Sequence, residues 1–163
     1  MLRRASGEDS LGLGTVYCFS WKEAYKDIVP ESFLNSLTVE NSAPKPEHIS
    51  PNNNFVIEET GTIVGLVNFG KCRDASTNNV GEIRSIYVLP EMWRRGLGQQ
   101  LFTAAKEEMK RTGFGGFCLW VLKENAAARQ FYKKMGMTDT GIEKGINIAG
   151  KELKELKYEF IFR

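Results

Sequence analysis

The stretch WRRGLGQQLF, Trp93 to Phe102, decides how this chain is read. Two arginines precede Gly96 and Gly98. Behind them Leu97, Leu101, Ala105 and Met109 recur every four residues, the apolar stripe of an amphipathic helix. Just ahead, Glu82 to Leu89 reads as a strand ended by Pro90. The order is strand, glycine turn, helix. A helix start carries unpaired N–H groups and the positive end of the dipole, which suits an anion. Glycine removes the Cβ that would hold a phosphate off the backbone, and Arg94 and Arg95 would add charge at the rim. Neither GxGxxG nor Gly-Lys-Ser/Thr is present, so this is not the dinucleotide fingerprint or the P-loop. A glycine turn that merely starts a helix is the plain alternative.

Working outward, Phe55 to Glu58 and Ile63 to Phe69 are β-rich runs joined by Glu59-Thr60-Gly61, a hairpin signal. Asp74 to Asn79 reads as a polar loop. Downstream, Gly113 closes the helix and Phe117 to Leu122 reads as a strand. Asn125 is a helix N-cap, and the helix from Ala126 to Met135 stops at Gly136. Leu156, Tyr158, Phe160 and Phe162 alternate with polar partners in a last strand. Upstream, Met1 to Ala5 is a short strand, and Val16 to Tyr25 has helical character. Gly7, Gly12 and Gly14 argue against a helix over Glu8 to Thr15. Pro30 opens a short helix, Glu31 to Leu37, and the Pro- and Asn-rich piece from Thr38 to Asn54 reads as an irregular, mobile loop. Ile83 and Ile86 both look like core although they are an odd number of residues apart. A β-bulge near Arg84 to Ile86 would reconcile them, as would a strand buried on both faces.

The chain has 163 residues and reads as a single domain, 1–163. Its net charge of +2 gives no reason to expect nucleic acid or a membrane surface as partner. Cys18, Cys72 and Cys118 have no framework or metal spacing, and Cys72 and Cys118 sit in apolar runs as buried thiols. With no signal peptide visible after the N-terminal arginines and no run long enough to span a membrane, the expected location is the cytoplasm.

Two segments together, IRSIYVLPEMWRRGLGQQLF (Ile83 to Phe102) and LWVLKENAAARQFYKKMGM (Leu119 to Met137), resemble the GNAT superfamily of acetyl-coenzyme A-dependent acetyltransferases. The first matches that family's motif A, and the second its motif B, with Asn125 and, seven residues on, Tyr132. The resemblance is strong from Val80 to Gly136. SWKEAYKDIVPESFLNSL (Ser20 to Leu37) also looks like the first helical region of many bacterial members. One position departs: the family usually has Arg or Gln where this chain has Trp93.

The resemblance implies a mixed α+β fold. Its sheet would be mostly antiparallel with six to seven strands and about four flanking helices, and a cofactor cleft would open between splayed central strands. It implies acetyl-CoA as cofactor, held by Ile86, Tyr87 and Val88 on the strand, by Trp93, Arg94, Arg95, Gly96, Leu97, Gly98 and Gln99 at the turn, and by Asn125. Glu82 stands where some members carry a glutamate general base; it also reads as a strand residue paired with Arg84 or a lysine. Tyr132 matches the tyrosine general acid that would protonate the departing thiolate; it also reads as a core tyrosine beside Phe131. Trp21, Tyr25 and Phe33 would line the acceptor pocket, or pack as core. Trp120 would lie on a strand facing the cleft, in a structural role, and His48 reads as a surface residue. No metal is implied, and a homodimer is compatible with the family.

The expected activity is transfer of an acetyl group to a primary amine of a small molecule or protein by direct attack in a ternary complex. An acyl-CoA-binding sensor or interaction module with little turnover is the alternative. An unrelated phosphate-binding α/β domain, with Gly96 and Gly98 serving a nucleotide, is a third reading.

Overall fold

The computed structural model describes residues 1–74 and 79–163, so the middle of the loop expected over Asp74 to Asn79 lies outside the described residues. The strands are β1 (Leu2–Arg4), β2 (Asn54–Glu59), β3 (Thr62–Lys71), β4 (Val80–Val88), β5 (Gly116–Leu122), β6 (Thr138–Ile148) and β7 (Lys151–Ile161). They form one seven-stranded sheet in the order β1-β2-β3-β4-β5-β7-β6. Every pairing is antiparallel except that of β4 with β5. The helices are α1 (Ser10–Ala24), α2 (Glu31–Ser36), α3 (Val39–Ser42), α4 (Leu97–Arg111) and α5 (Ala126–Lys134).

Strand β4 organises the rest. It pairs with β3 along its length but with β5 only through Val80, Gly81 and Glu82, opposite Gly116, Phe117 and Cys118. From Ile83 onward β4 and β5 diverge, and the sheet opens into a fork. Of the two readings of the Ile83 to Ile86 interval, the bulge is present: Ser85 faces Asn68 and Ile83 faces Phe69, which leaves Arg84 as the extra residue. It lies just where the fork opens, so the extra residue re-aims the strand beside the gap.

Helices cover both faces. Leu97, Leu101, Ala105 and Met109 of α4 are all buried, as their spacing predicts, and α4 packs on β2, β3 and β4. On β5, Phe117 meets Phe102 of α4 with ring centroids 5.6 Å apart. Leu122, an odd number of residues away and so on the other face, clusters with Val29 and Leu34 beside α2.

Three expectations need correction. The glycines before Thr15 do not prevent a helix; α1 begins at Ser10, and the glycines let it pack closely. A Cβ on Gly12 would come within 2.7 Å of Ile63 Cγ1, and one on Gly14 within 2.8 Å of Ala43 Cβ. The Thr38 to Asn54 piece is not wholly irregular. It holds α3, where Thr38 Oγ1 accepts from Asn41 N–H at 3.1 Å and Asn41 Oδ1 accepts from Thr38 N–H at 2.8 Å, a reciprocal cap. A 3-10 turn follows at Pro46–His48, with His48 on the surface. Strand β6 went unread, because as an outer strand it is mostly exposed and only Ile146 and Ile148 pack inward.

Candidate active site

A cleft of about 1040 Å³ occupies the fork. Its walls are β4 from Ile83 to Val88, the turn and first residues of α4, the end of β5, and one face of α5. Trp21 of α1, Tyr25 just past its end, Ile146 and Ile148 of β6, and Glu155 of β7 complete the lining.

The turn is built for close approach. Arg94 and Gly96 both have positive φ, 62° and 77°. The first helical hydrogen bond is Gln100 N–H to Gly96 C=O, 3.1 Å, so the N–H groups of residues 97 to 99 precede it and face outward from the helix start. At Gly96 glycine answers to the backbone angle. Gly98 is different: its φ is ordinary, and an added Cβ would sit at van der Waals distance from the Phe131 ring, 3.6 Å. The protein's own packing gives no reason for glycine there, whereas a ligand lying on the backbone would. Space, free donors and Arg94 together fit a diphosphate.

Trp93 supplies more than its backbone. Its indole N–H donates to the Val88 carbonyl at 2.7 Å, and Ser20 Oγ donates to the same oxygen at 3.1 Å. The end of β4 is thereby pinned to the turn and to α1.

Three tyrosines gather in the cleft wall. Tyr25 and Tyr87 share a hydrogen bond, 3.0 Å between hydroxyls. Tyr132, on α5, packs against Phe131 and Tyr158, and among the described residues its hydroxyl has no hydrogen-bond partner. Burial pushes the pKa of each above the ordinary tyrosine value, well above for Tyr87, so each holds its proton. Asn125 caps α5, accepting from Ala128 N–H at 3.2 Å, and also lines the cleft.

Thirteen of the expected site residues line this one cleft: Trp21, Tyr25, Ile86, Tyr87, Val88, Trp93, Arg94, Gly96, Leu97, Gly98, Gln99, Asn125 and Tyr132. Three do not. Arg95 turns to Glu59, 3.3 Å away. Phe33 belongs to a separate cavity of about 220 Å³ between α1, α2 and α3, with Trp21 as the shared wall. Glu82 is only 2% exposed and lies outside the cleft lining. Arg73 claims both its oxygens: Arg73 N–H donates to Oε2 at 3.0 Å, Nε lies 3.1 and 3.2 Å from the two oxygens, and Nη2 also reaches Oε1. Burial raises the Glu82 pKa, but the Arg73 hydrogen bonds outweigh it, and the carboxyl ends below its usual range.

Sequence reasoning missed Glu155 and gave Trp120 only a structural place; both line the cleft. Trp120 and Leu122 of β5 pair with Lys157 and Glu155 of β7, so these four share a face. Nothing in the sequence marks Glu155, because β7 alternates core and non-core residues and a charged residue is what the non-core positions call for.

Comparison with known proteins shows the family and the fold. The model of the acetyltransferase (GNAT) family matches residues 17–137. The N-acetyltransferase YuaI of Bacillus subtilis is 31% identical over 156 residues, 95% of this chain and 89% of that one. A spermidine N(1)-acetyltransferase of Thermoplasma acidophilum is 27% identical over 138 residues, 83% of this chain and 86% of that one. Among solved structures, the PaiA N-acetyltransferase of T. acidophilum, in complex with coenzyme A, superposes with a TM-score of 0.72 at 22% identity, over 99% of this chain and 98% of that one. A ribosomal-protein-alanine N-acetyltransferase of Brucella melitensis superposes with a TM-score of 0.77 at 19% identity, over 99% of both chains. At these identities the structural likeness is one of fold.

Proposed function

Since the chain belongs to the GNAT acetyltransferase family and is an N-acetyltransferase using acetyl-CoA, we propose that the fork between β4 and β5 is its catalytic cleft, with Tyr132 as the proton donor. The observation that carries this reading is the opening above Gly98, in a cleft whose wall holds a half-buried, protonated tyrosine.

Acetyl-CoA supplies the thioester-activated acetyl group. The N–H groups of residues 97 to 99 and the Arg94 guanidinium hold the diphosphate at the turn. The edge of β4 freed by the fork, Ile86 to Val88, offers backbone groups to the arm that carries the thioester and polarises its carbonyl. Asn125 orients the arm from α5. Tyr132 gives its hydroxyl proton to the departing sulfur and regains one from the acylated nitrogen, so no net proton is taken from the protein. Trp21 and Tyr25 shape the acceptor end.

Glu82 reads better as an anchor than as a base. A carboxylate locked to Arg73, with its pKa below the usual range, is a weak proton acceptor at neutral pH. The acceptor amine therefore loses its proton to solvent before attack. The acceptor is a small-molecule or peptide primary amine.

The test is thermal stability with acetyl-CoA, ATP and NAD, followed by an amine screen for coenzyme A release. A ligand at about 100 times its dissociation constant adds roughly 2.7 kcal/mol. Stabilisation by acetyl-CoA alone, with turnover on an amine, supports the reading. Stabilisation without turnover on any amine returns the protein to acyl-CoA binding alone, and stabilisation by ATP or NAD instead overturns the assignment of the turn.

A further inference from the structure

Two tyrosine hydroxyls from distant parts of the chain meet in the cleft wall. Tyr25, just past the end of α1, and Tyr87, on the freed end of β4, both line the cleft, and their hydroxyl oxygens lie 3.0 Å apart. A phenol carries one proton and two lone pairs. One proton joins the two hydroxyls; the other proton and the remaining lone pairs have no partner among the described residues. A half-buried polar pair with unspent hydrogen-bonding capacity beside a cleft points to a ligand atom.

The pair is held from several sides. The Tyr17 ring stands edge-on to Tyr87 with centroids 5.5 Å apart, and the Tyr25 ring does the same at 6.5 Å. Trp21 packs on Tyr25 at 4.5 Å. Ser20 of α1 donates to the carbonyl of Val88, the residue after Tyr87, so helix and strand are joined beside the pair. The two oxygens are thereby preorganised before any ligand arrives.

Their chemistry suits a neutral amine. Burial holds both phenols protonated, with the Glu155 charge adding to it at Tyr25 and the other tyrosines at Tyr87. An uncharged hydroxyl accepts from an amine N–H without favouring the ammonium form, as a carboxylate would. The attacking nitrogen must keep its lone pair free for the acetyl carbon. Glu82, captured by Arg73 outside the lining, does not compete for it.

We infer that the Tyr25–Tyr87 pair positions the acceptor nitrogen: one hydroxyl oxygen accepts an N–H of the neutral amine, and the second hydroxyl orients the first. This rests on the acetyltransferase reading of the cleft, in which the thioester lies along Ile86 to Val88. The nitrogen bonds to the acetyl carbon and the carbon–sulfur bond breaks. Tyr132 protonates the sulfur and regains the proton that the nitrogen sheds, so the pair itself neither gains nor loses one.

The experiment measures coenzyme A release by the full chain with 1-aminobutane, 2-phenylethylamine and a short peptide with a free amino terminus. The fastest of the three is carried into Tyr25→Phe, Tyr87→Phe and the double variant, which keep each ring and its packing. Each single variant is expected to lose about 10- to 100-fold in kcat/KM, mostly in kcat, because the pair holds the reacting nitrogen. The double variant is expected to lose about as much as either single one, since removing one hydroxyl already disables the pair. Acetyl-CoA affinity, by calorimetric titration, is expected to change less than about twofold, whereas a merely structural role would move it together with turnover. Single losses that multiply in the double variant, a single variant with unchanged kcat/KM, or acetyl-CoA binding weakened in step with turnover would each overturn the inference. Absence of acetyl-CoA stabilisation, or of turnover on all three amines, in the unaltered protein would instead remove the catalytic reading of the cleft, and the inference with it.

Discussion

The indole N–H of Trp93 donates to the backbone carbonyl of Val88 at 2.7 Å, tying the glycine turn to the last residue of β4. The turn and the strand are two walls of one cleft, and this bond ties them together. Trp93 is 43% exposed, so it contributes little to the core. Trp93→Phe keeps an aromatic ring and removes the donor. The expected result is a loss of about 1 kcal/mol at most in stability, with KM for acetyl-CoA raised about five- to tenfold. Steady-state kinetics beside a melting curve checks it; an unchanged KM would mean that the bond does not set the geometry of the site.

Gly96 and Gly98 should part company under substitution. At Gly96, φ is 77°, so alanine is expected to destabilise by about 1 kcal/mol. At Gly98 the chain leaves room for a Cβ, so Gly98→Ala should melt close to the unaltered protein yet bind acetyl-CoA about tenfold more weakly, since its methyl would stand where the proposed site places the diphosphate. Calorimetric titration measures the second effect. Unimpaired binding by Gly98→Ala would contradict the position proposed for the ligand.

Tyr132→Phe is expected to lower kcat about 100- to 10,000-fold while leaving acetyl-CoA affinity nearly unchanged, since only the proton is lost. The pH profile is a second check. Burial keeps the Tyr132 proton in place above the ordinary tyrosine range, and the acceptor amine must first lose its own. Thus kcat/KM should rise with pH through the neutral range, with no acidic limb from Glu82. A bell-shaped profile falling below pH 7 with a carboxylate-like pKa, lost in Glu82→Gln, would restore Glu82 as a base.

Glu108 links the first strand to the motif helix. It pairs with Arg4 of β1 at 2.9 Å and Arg111 of α4 at 2.7 Å, and these hydrogen bonds bring its pKa down to about 2. A carboxyl depressed on folding stabilises above its unfolded pKa of about 4.3, and that contribution fades as pH falls toward its folded value. Glu108→Gln should therefore melt lower than the unaltered protein at pH 7, with the two curves converging between about pH 4 and pH 2. A gap that persists at pH 2 would show that the ion pairs are not its cause.

Gly14→Ala tests the reading of α1. Alanine is the better helix former, yet its Cβ would press on Ala43 at 2.8 Å. The expected result is a destabilisation of about 1 to 3 kcal/mol rather than a gain. A chemical denaturation curve decides between them.

Much of the site was legible because its signals are local. The recurrence of Leu97, Leu101, Ala105 and Met109, the glycines of the turn and the cap at Asn125 all act within a few residues, and each stands where its spacing implied. The odd interval from Ile83 to Ile86 left a bulge and a doubly buried strand both open, and the register then showed the bulge at Arg84. Misreadings came where a residue's meaning depended on distant chain. Gly12 and Gly14 looked like helix breakers until Ile63 and Ala43 gave them a reason. Strand β6 was silent because, as a mostly exposed outer strand, it shows only Ile146 and Ile148 as an inward-packing pair.

The sequence by itself thus determined the family, the glycine turn and the placement of Tyr132 on α5, because those depend on local backbone geometry and short spacings. Only the tertiary structure decided which carboxylate faces the cleft. Glu82 sits in the motif strand but is captured by Arg73, nine residues before it, while Glu155 comes from the far end of the chain and reaches the cleft through the pairing of β7 with β5. Charge partners are chosen by through-space distance in a weakly screened interior, and no spacing along the chain records that distance.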